Sequence, residues 1–244
     1  MKRILLSGAS GRMGHELARC AAQGDFTVSF GVDEVRDEAS PFPIYPSFSE
    51  AKGEADVLID FSRPALLKGA LAYALTHGLP MVLAATGYTA DDLSLIREAA
   101  KTLPIFQSAN LSLGVYVLKV LAQQAKKLLE GFDIEIVEAH HKNKQDAPSG
   151  TALMLLDALK TPDTAIAYGR TPESGKRGEN EIGVHAVRGG TLFGEHEVLF
   201  LGQDETITLT HSAQSRAIFA FGALKAAKFV LNAPAGLYSM ENLM

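Results

Sequence analysis

The sequence predicts an α/β protein of two domains. A Rossmann-type, doubly wound parallel sheet comes first, followed by an α+β domain built on a mostly antiparallel sheet. Three observations carry this reading. An apolar strand at the start of the chain runs straight into a glycine turn and a helix. Between residues 55 and 108, strand and helix patterns alternate. After residue 133, strand patterns follow one another with little helix between them.

Residues 3–7 (RILLS) form the first strand and lead into Gly8-Ala9-Ser10-Gly11-Arg12-Met13-Gly14. Leu17, Ala18, Ala21 and Ala22 then fall at helical spacing. Gly8 permits a tight turn, Gly11 lets backbone approach a pyrophosphate, and Gly14 lets the helix pack close to the strand. The spacing is GxxGxxG rather than the commoner GxGxxG, and no Gly-Lys-Ser/Thr follows, so this is not a P-loop. An alternating run over 26–33 ends in Asp33, 19 residues after Gly14. There a dinucleotide fingerprint places the acid that bonds the adenine ribose. A glycine turn alone is ordinary turn chemistry; turn, helix, strand and terminal acid in order point to a dinucleotide.

Three prolines in 41–46 make that segment a loop or an irregular edge strand. Strands over 55–61, 80–85 and 104–108 then alternate with helices over 65–77 and 90–101. In such sheets ligands bind beyond the C-terminal strand ends. That location singles out Phe61-Ser62-Arg63, Ala84-Ala85-Thr86-Gly87 and Ser108-Ala109-Asn110. A long helix over 111–130 ends at Gly131. A strand over 133–141, a helix over 150–160 and a polar, glycine-rich stretch over 169–181 follow, the last read as a mobile loop. Strands over 182–188, 195–201 and 206–210 complete the second sheet. A broadly apolar helix over 217–231 is expected to pack back on the first domain. The domains are therefore read as 1–111 with 217–244, and 112–216.

The second chemical feature lies between Glu135 and Ala152 (EIVEAHHKNKQDAPSGTA). Ile134, Ile136 and Ala139 alternate with Glu135, Glu138 and His140 as on a strand. His140, His141, Lys142 and Lys144 gather at its end, before Pro148 and a helix capped by Ser149 or Thr151. Cationic groups beside a helix N-terminus, with Gly150 opening the backbone to close approach, suit a carboxylate or phosphate. Adjacent histidines on a strand point to opposite faces, which argues against a shared metal. A solvated basic run would explain the lysines, but not why the run ends in a capped, proline-fixed turn.

Composition sets the bounds. The chain has 244 residues, 47% hydrophobic and 21% charged, a globular balance with room for two domains. A formal net charge of −5 argues against nucleic acid as a partner, so the basic run at 140–144 is a local feature suited to a small anion. Cys20 is the only cysteine, which excludes an intrachain disulfide and fits a reducing compartment. The apolar run after Lys2-Arg3 stops at Gly8, too short for a signal peptide, and nothing later spans a bilayer. A cytoplasmic protein without membrane contact is expected.

The glycine turn at 8–14 and the segment Glu138-Ala139-His140-His141-Lys142-Asn143-Lys144-Gln145-Asp146-Ala147-Pro148-Ser149-Gly150-Thr151 together closely resemble the dihydrodipicolinate (4-hydroxy-tetrahydrodipicolinate) reductase family. The likeness covers essentially the whole chain. It extends to Asp60-Phe61-Ser62, Ser108-Ala109-Asn110, Arg188-Gly189-Gly190 and Gly194-Glu195-His196. The resemblance implies a reductase using NADH or NADPH on a cyclic dicarboxylic imine precursor in lysine biosynthesis. It also implies a homotetramer joined through the sheets of the second, substrate-binding domain. By position, His140 looks like the family's catalytic histidine and Lys144 like its proton-donating lysine. His141, Gly150 and Thr151 look like ligands of the substrate carboxylates. Gly8, Ala9, Ser10, Gly11, Arg12, Met13, Asp33, Ala84, Ala85, Thr86, Ser108, Ala109, Asn110 and Leu111 look like cofactor contacts. One departure is that Ala84-Ala85-Thr86-Gly87 stands where the family commonly has Gly-Thr-Thr-Gly. Hydroxyl contacts at Ala85 are therefore lost, while backbone contacts can persist.

The chemistry of the residues agrees. A conjugated imine accepts hydride when it is protonated, and cations bind its carboxylates while a positioned acid supplies the proton. Two other readings use the same residues: a dehydrogenase of a different small oxo or imino acid, and a non-catalytic NAD(H)-sensing regulator. Retention of His140, Lys144 and the Ser149-Gly150-Thr151 turn argues against the regulator.

Overall fold

Lys2–Ser7 forms β1, whose last four residues are buried, as a central parallel strand covered on both faces requires. The chain turns through Gly8 into α1 (Arg12–Ala21) and returns along β2 (Phe26–Val32). The proline-rich segment yields only β3, Ile44–Tyr45, at the sheet edge. Next come β4 (Val57–Asp60), α2 (Leu67–His77), β5 (Met81–Leu83), α3 (Ala90–Ala99) and β6 (Pro104–Gln107). Gly78, at φ 64°, ends α2 in the left-handed conformation that stops helices. A reciprocal capping box between Thr89 and Asp92 starts α3. Then follow α4 (Leu113–Leu128), β7 (Asp133–His140), α5 (Gly150–Leu159), β8 (Ala165–Tyr168) and β9 (Glu181–Arg188). The chain closes with β10 (Gly194–Leu201), β11 (Thr206–Ala213), α6 (Ala217–Val230) and β12 (Gly236–Tyr238).

The structure, a computed structural model, describes residues 1–35 and 37–243. It divides into two compact units, Met1–Ser112 with Arg216–Met244, and Leu113–Ser215. In the first, seven parallel strands lie in the order β12-β6-β5-β4-β1-β2-β3. Sequence order reverses between β1 and β4, which is the switch point where doubly wound sheets open a crevice. One core cluster joins Leu5, Phe30, Leu58, Met81 and Ile105 of the strands to Leu67, Leu71 and Ile96 of the helices. On the opposite side α6 lies against α1, β5 and β6.

In the second unit the order is β11-β10-β7-β9-β8. β10 runs antiparallel to both β11 and β7. β7 and β9 are parallel, because α5 intervenes between them as a crossover. Ile134, Ile136, Val184, Val198 and Phe200 pack with Leu118 of α4 and Leu155 and Leu159 of α5. Val137, Val187, Leu199 and Leu201 occupy the alternate positions, on the other face of the sheet.

Three features differ from the sequence reading. β8 and β12 were not anticipated; at four and three residues on sheet edges they are too short to show a period. The polar stretch 169–181 has its arginines tied down: Arg177 pairs with Glu135, Glu181 and Asp133, and Arg170 with Glu181. On β7, Glu138 does not alternate with the isoleucines. It shares their face and is fully buried.

Candidate active site

Because all strands of the first sheet are parallel, the segments after β1, β2, β5 and β6 meet at one edge. Gly8–Met13, Asp33, Ala84–Thr86 and Ser108–Leu111 all lie there. Gly8 holds φ 79°, and a Cβ on it would stand 2.9 Å from the backbone of Phe61 and Ser62, after β4. A Cβ on Gly14 would stand 2.4 Å from the carbonyl oxygens of Gly8 and Ala9. Both glycines are therefore demanded by the fold of the turn itself. Gly11 caps α1 without a side-chain acceptor, so the helix end presents amides to an outside anion.

Asp33 is fixed against that turn. Its carboxylate accepts the Ser10 N–H at 3.0 Å and the Val35 N–H at 3.2 Å, while the Ser10 hydroxyl donates to the Val35 carbonyl at 2.5 Å. Two backbone amides use only part of a carboxylate's acceptor capacity, so ribose hydroxyls still have a partner. The glycine cradle, the helix end and the acid together fit a dinucleotide. Arg12 is exposed and makes no ion pair among the described residues, whereas Arg36 lies outside them. Arg63, in the loop after β4, pairs with Glu34 beside Asp33. Asp60, buried at the end of β4, accepts from the Ser62 amide and hydroxyl, and burial pushes it above the usual carboxylate range.

At the other strand ends, Ala85 is buried and Thr86 is exposed. Ser108 Oγ donates to the Asn110 carbonyl at 2.6 Å and accepts the Asn110 amide at 3.2 Å, shaping a turn. Leu111 is buried, and its carbonyl lies against Gly222 of α6, where a Cβ would stand 1.8 Å from it, so this residue belongs to the core.

In the second unit β7 delivers His140 with its ring 11% exposed. Nδ1 of His140 lies 2.6 Å from Glu138 Oε2. Glu138 also receives both Nη atoms of Arg188 at 2.7 Å and the Ser149 amide at 2.9 Å. Burial opposes the charge on Glu138, but hydrogen bonds from Arg188, His140 and Ser149 outweigh it and hold the carboxyl below its usual range. For His140, burial dominates and lowers the pKa; Glu138 acts the other way, and the charges of Lys144 and Arg188 add to the lowering. The resting imidazole is therefore neutral near pH 7.

Lys144 turns back over the loop, its Nζ 2.8 Å from Asp146 Oδ1 and its side chain only 20% exposed. That contact depresses Asp146. His141 begins the loop and is half-buried. Ser149, not Thr151, caps α5: its Oγ accepts the Ala152 amide at 3.2 Å and lies 2.8 Å from His196 Nε2. Gly150 opens the helix, and a Cβ there would stand in open space. Thr151 follows in the same turn. His140 is thus linked to the α5 helix end through Glu138, Gly150 and Thr151 form the first turn of that helix, and His141 and Lys144 lie on the loop between β7 and α5.

Three residues here escaped the sequence reading. Glu138 and Arg188 form a buried, bidentate pair under His140, and His196 of β10 stacks edge-on to His140 at 5.2 Å. Burial, then the neighbouring His140, lowers His196 to about 4. The available signal was the parity of β7: an acid two residues before a histidine, in step with Ile134 and Ile136. Among the described residues no group of three acidic, histidine or cysteine side chains is placed to hold a metal. No helix of the described residues is long and apolar enough to cross a membrane.

A doubly wound nucleotide fold with this glycine turn, joined to a unit that carries a histidine at a strand end and a lysine on the loop after it, fits a nicotinamide-dependent oxidoreductase. The family model for the dihydrodipicolinate reductase N-terminus matches residues 2–111, and that for its C-terminus matches residues 114–244. A 4-hydroxy-tetrahydrodipicolinate reductase of Caldanaerobacter subterraneus is 48% identical, over 100% of this chain and 98% of its own. One from Clostridium tetani is 44% identical over 100% and 97%. A dipicolinate-bound dihydrodipicolinate reductase from Paenisporosarcina superposes with a TM-score of 0.83 over the whole of both chains, at 24% identity. The chain belongs to the dihydrodipicolinate reductase family, whose members are NAD(P)H-dependent oxidoreductases.

Proposed function

We propose that the protein reduces 4-hydroxy-tetrahydrodipicolinate to tetrahydrodipicolinate with loss of water, using NADH or NADPH, in the diaminopimelate route to lysine. The observation that carries this reading is the 48% identity, across the full chain, to a relative of that name. The site chemistry supports it. Substrate carboxylates are held by the α5 amides at Gly150 and Thr151, by His141 and by the Lys144 ammonium. Gly8–Met13, Asp33, Ala84–Thr86 and Ser108–Leu111 would hold the reduced dinucleotide, which would supply the hydride. Lys144 orients and protonates the bound substrate, making the imine electrophilic, while His140 exchanges a proton in the transition state. The test is a coupled assay with freshly generated substrate, run with NADH and NADPH separately.

Both cofactors are used, with a modest preference for NADH. Asp33 accepts from a ribose 2′-hydroxyl and repels a 2′-phosphate, while the free Arg12 offsets part of that repulsion. Arg63 is already engaged by Glu34. The chain acts as a homotetramer joined through the second sheet, where Val137, Val187, Leu199 and Leu201 lie on the face away from α4 and α5. Light scattering on the purified protein tests the assembly.

A further inference from the structure

We propose that Glu138 is the positioning residue of this site: it sets the tautomer of His140 and ties that ring to the loop and helix end that receive the substrate. The assignment rests on the reading that His140 acts in the reduction. Glu138 is fully buried two residues before the end of β7, and its two oxygens accept four hydrogen bonds. A pair made only to neutralise Arg188 would be complete with the two guanidinium bonds. Here Oε2 also takes His140 Nδ1, and Oε1 takes the amide of Ser149, the residue that caps α5. Arg188 extends the grip, because its Nη2 also donates to the Asp146 carbonyl at 2.7 Å, in the loop that carries Lys144. One carboxylate therefore holds the strand end, the lysine loop and the anion-binding helix cap in a single register.

The tautomer follows from donor and acceptor chemistry. An ionised carboxylate only accepts, so Nδ1 of His140 carries the proton and the neutral ring keeps its lone pair at Nε2. Nε2 lies over Gly194, 2.9 Å from where a Cβ would stand, so a larger residue there would displace the ring. The charged and titratable groups facing the ring are Glu138 on β7, Arg188 on β9, His196 on β10, and Lys144 and Asp146 on the loop. Among them Glu138 alone touches the ring as an anion, so it is the group that stabilises an imidazolium formed by proton capture at Nε2. A residue with only a structural role would not govern that protonation.

Two measurements test the assignment. In the wild-type protein, nitrogen-15 NMR of His140 at neutral pH is expected to show Nδ1 protonated and Nε2 bare; an Nε2–H tautomer overturns the assignment. In Glu138→Gln, kcat is expected to fall ~10²-fold. The pH limb of kcat/KM that reports His140 should move down by ~1 unit. NADH affinity, read by fluorescence, should stay within about twofold, since the first unit is untouched. An unchanged kcat and pH profile in a folded Glu138→Gln also overturns it. Should that variant fail to bind NADH or fail to fold, the wild-type NMR decides alone. His140→Ala separates this assignment from the reading it rests on. A near-normal kcat there removes His140 from the chemistry whatever its tautomer, whereas a wrong tautomer with an inactive His140→Ala removes only Glu138.

Discussion

The glycine turn after β1 and the strand end of β7 are the two anion sites we propose, and they are built in opposite ways. At the first, backbone does the work: Gly8 and Gly14 have no room for a side chain, and the amides of α1 face outward. At the second, side chains from three strands converge. Glu138 and His140 come from β7, Arg188 from β9 and His196 from β10, with Lys144 on the loop beside them. A site made of backbone tolerates little change in the turn and much around it. A site made of a buried charged cluster depends on every member, because removing one partner leaves another unpaired in a low dielectric.

The sharpest way to break the contrast is to remove the proton-handling groups. His140→Ala and Lys144→Ala should each lower kcat by ~10²–10⁴-fold with NADH affinity retained, and the double variant should lose less than the product of the two. Steady-state kinetics with a separate NADH titration checks this. His141→Ala should mainly raise KM, because a carboxylate ligand acts in ground and transition states alike.

The buried cluster should also make the second unit sensitive to acid. His196 has a folded pKa of about 4 against an ordinary value near 6.5, so the fold favours its neutral form. The associated stability is complete above pH ~6.5 and is lost as pH falls toward ~4, amounting to about 3 kcal/mol. Glu138, held below its usual range, adds stability that disappears at still lower pH. His196→Gln should flatten the dependence of Tm on pH between 4 and 6.5. An unchanged slope would mean that His196 is not titrating there.

Two glycines separate the building principles. Gly14→Ala places a methyl against two carbonyl oxygens and should destabilise the first unit by ~1–3 kcal/mol, weakening NADH binding. Gly150→Ala meets open space, so Tm should hold while KM for the substrate rises. Thermal unfolding paired with kinetics on both variants reads the difference. The smallest effect expected is at Arg12, where Arg12→Ala should weaken NADPH several-fold more than NADH. A wild-type preference for NADPH of ~100-fold, worth ~2.7 kcal/mol, would contradict the weight given to Asp33.

The same contrast explains what was legible in the sequence. Backbone sites leave a local signature, so Gly8, Gly11, Gly14 and Asp33 could be read from spacing, as could the strand–helix alternation that positions them. The segment that carries His140, Lys144, Gly150 and Thr151 also stood out, because its strand, basic run and capped turn lie within one short stretch. Glu138 was misplaced on β7 because a polar residue was assigned to the polar face. Its burial is made possible by Arg188, 50 residues away, and by a loop amide. Long-range pairing of that kind has no period. β8 and β12 escaped for a related reason, since a short edge strand is defined by its neighbour rather than by its own pattern.

The central claim is turnover of one substrate by one chain, and a coupled assay measures it directly. Freshly generated 4-hydroxy-tetrahydrodipicolinate is supplied to the purified protein, and nicotinamide oxidation is followed with NADH and with NADPH. The account predicts substrate-dependent oxidation of both, somewhat faster with NADH, and slowed ~10²–10⁴-fold in His140→Ala while NADH still binds. Nicotinamide binding without oxidation, or oxidation only with a different oxo or imino acid, would contradict it.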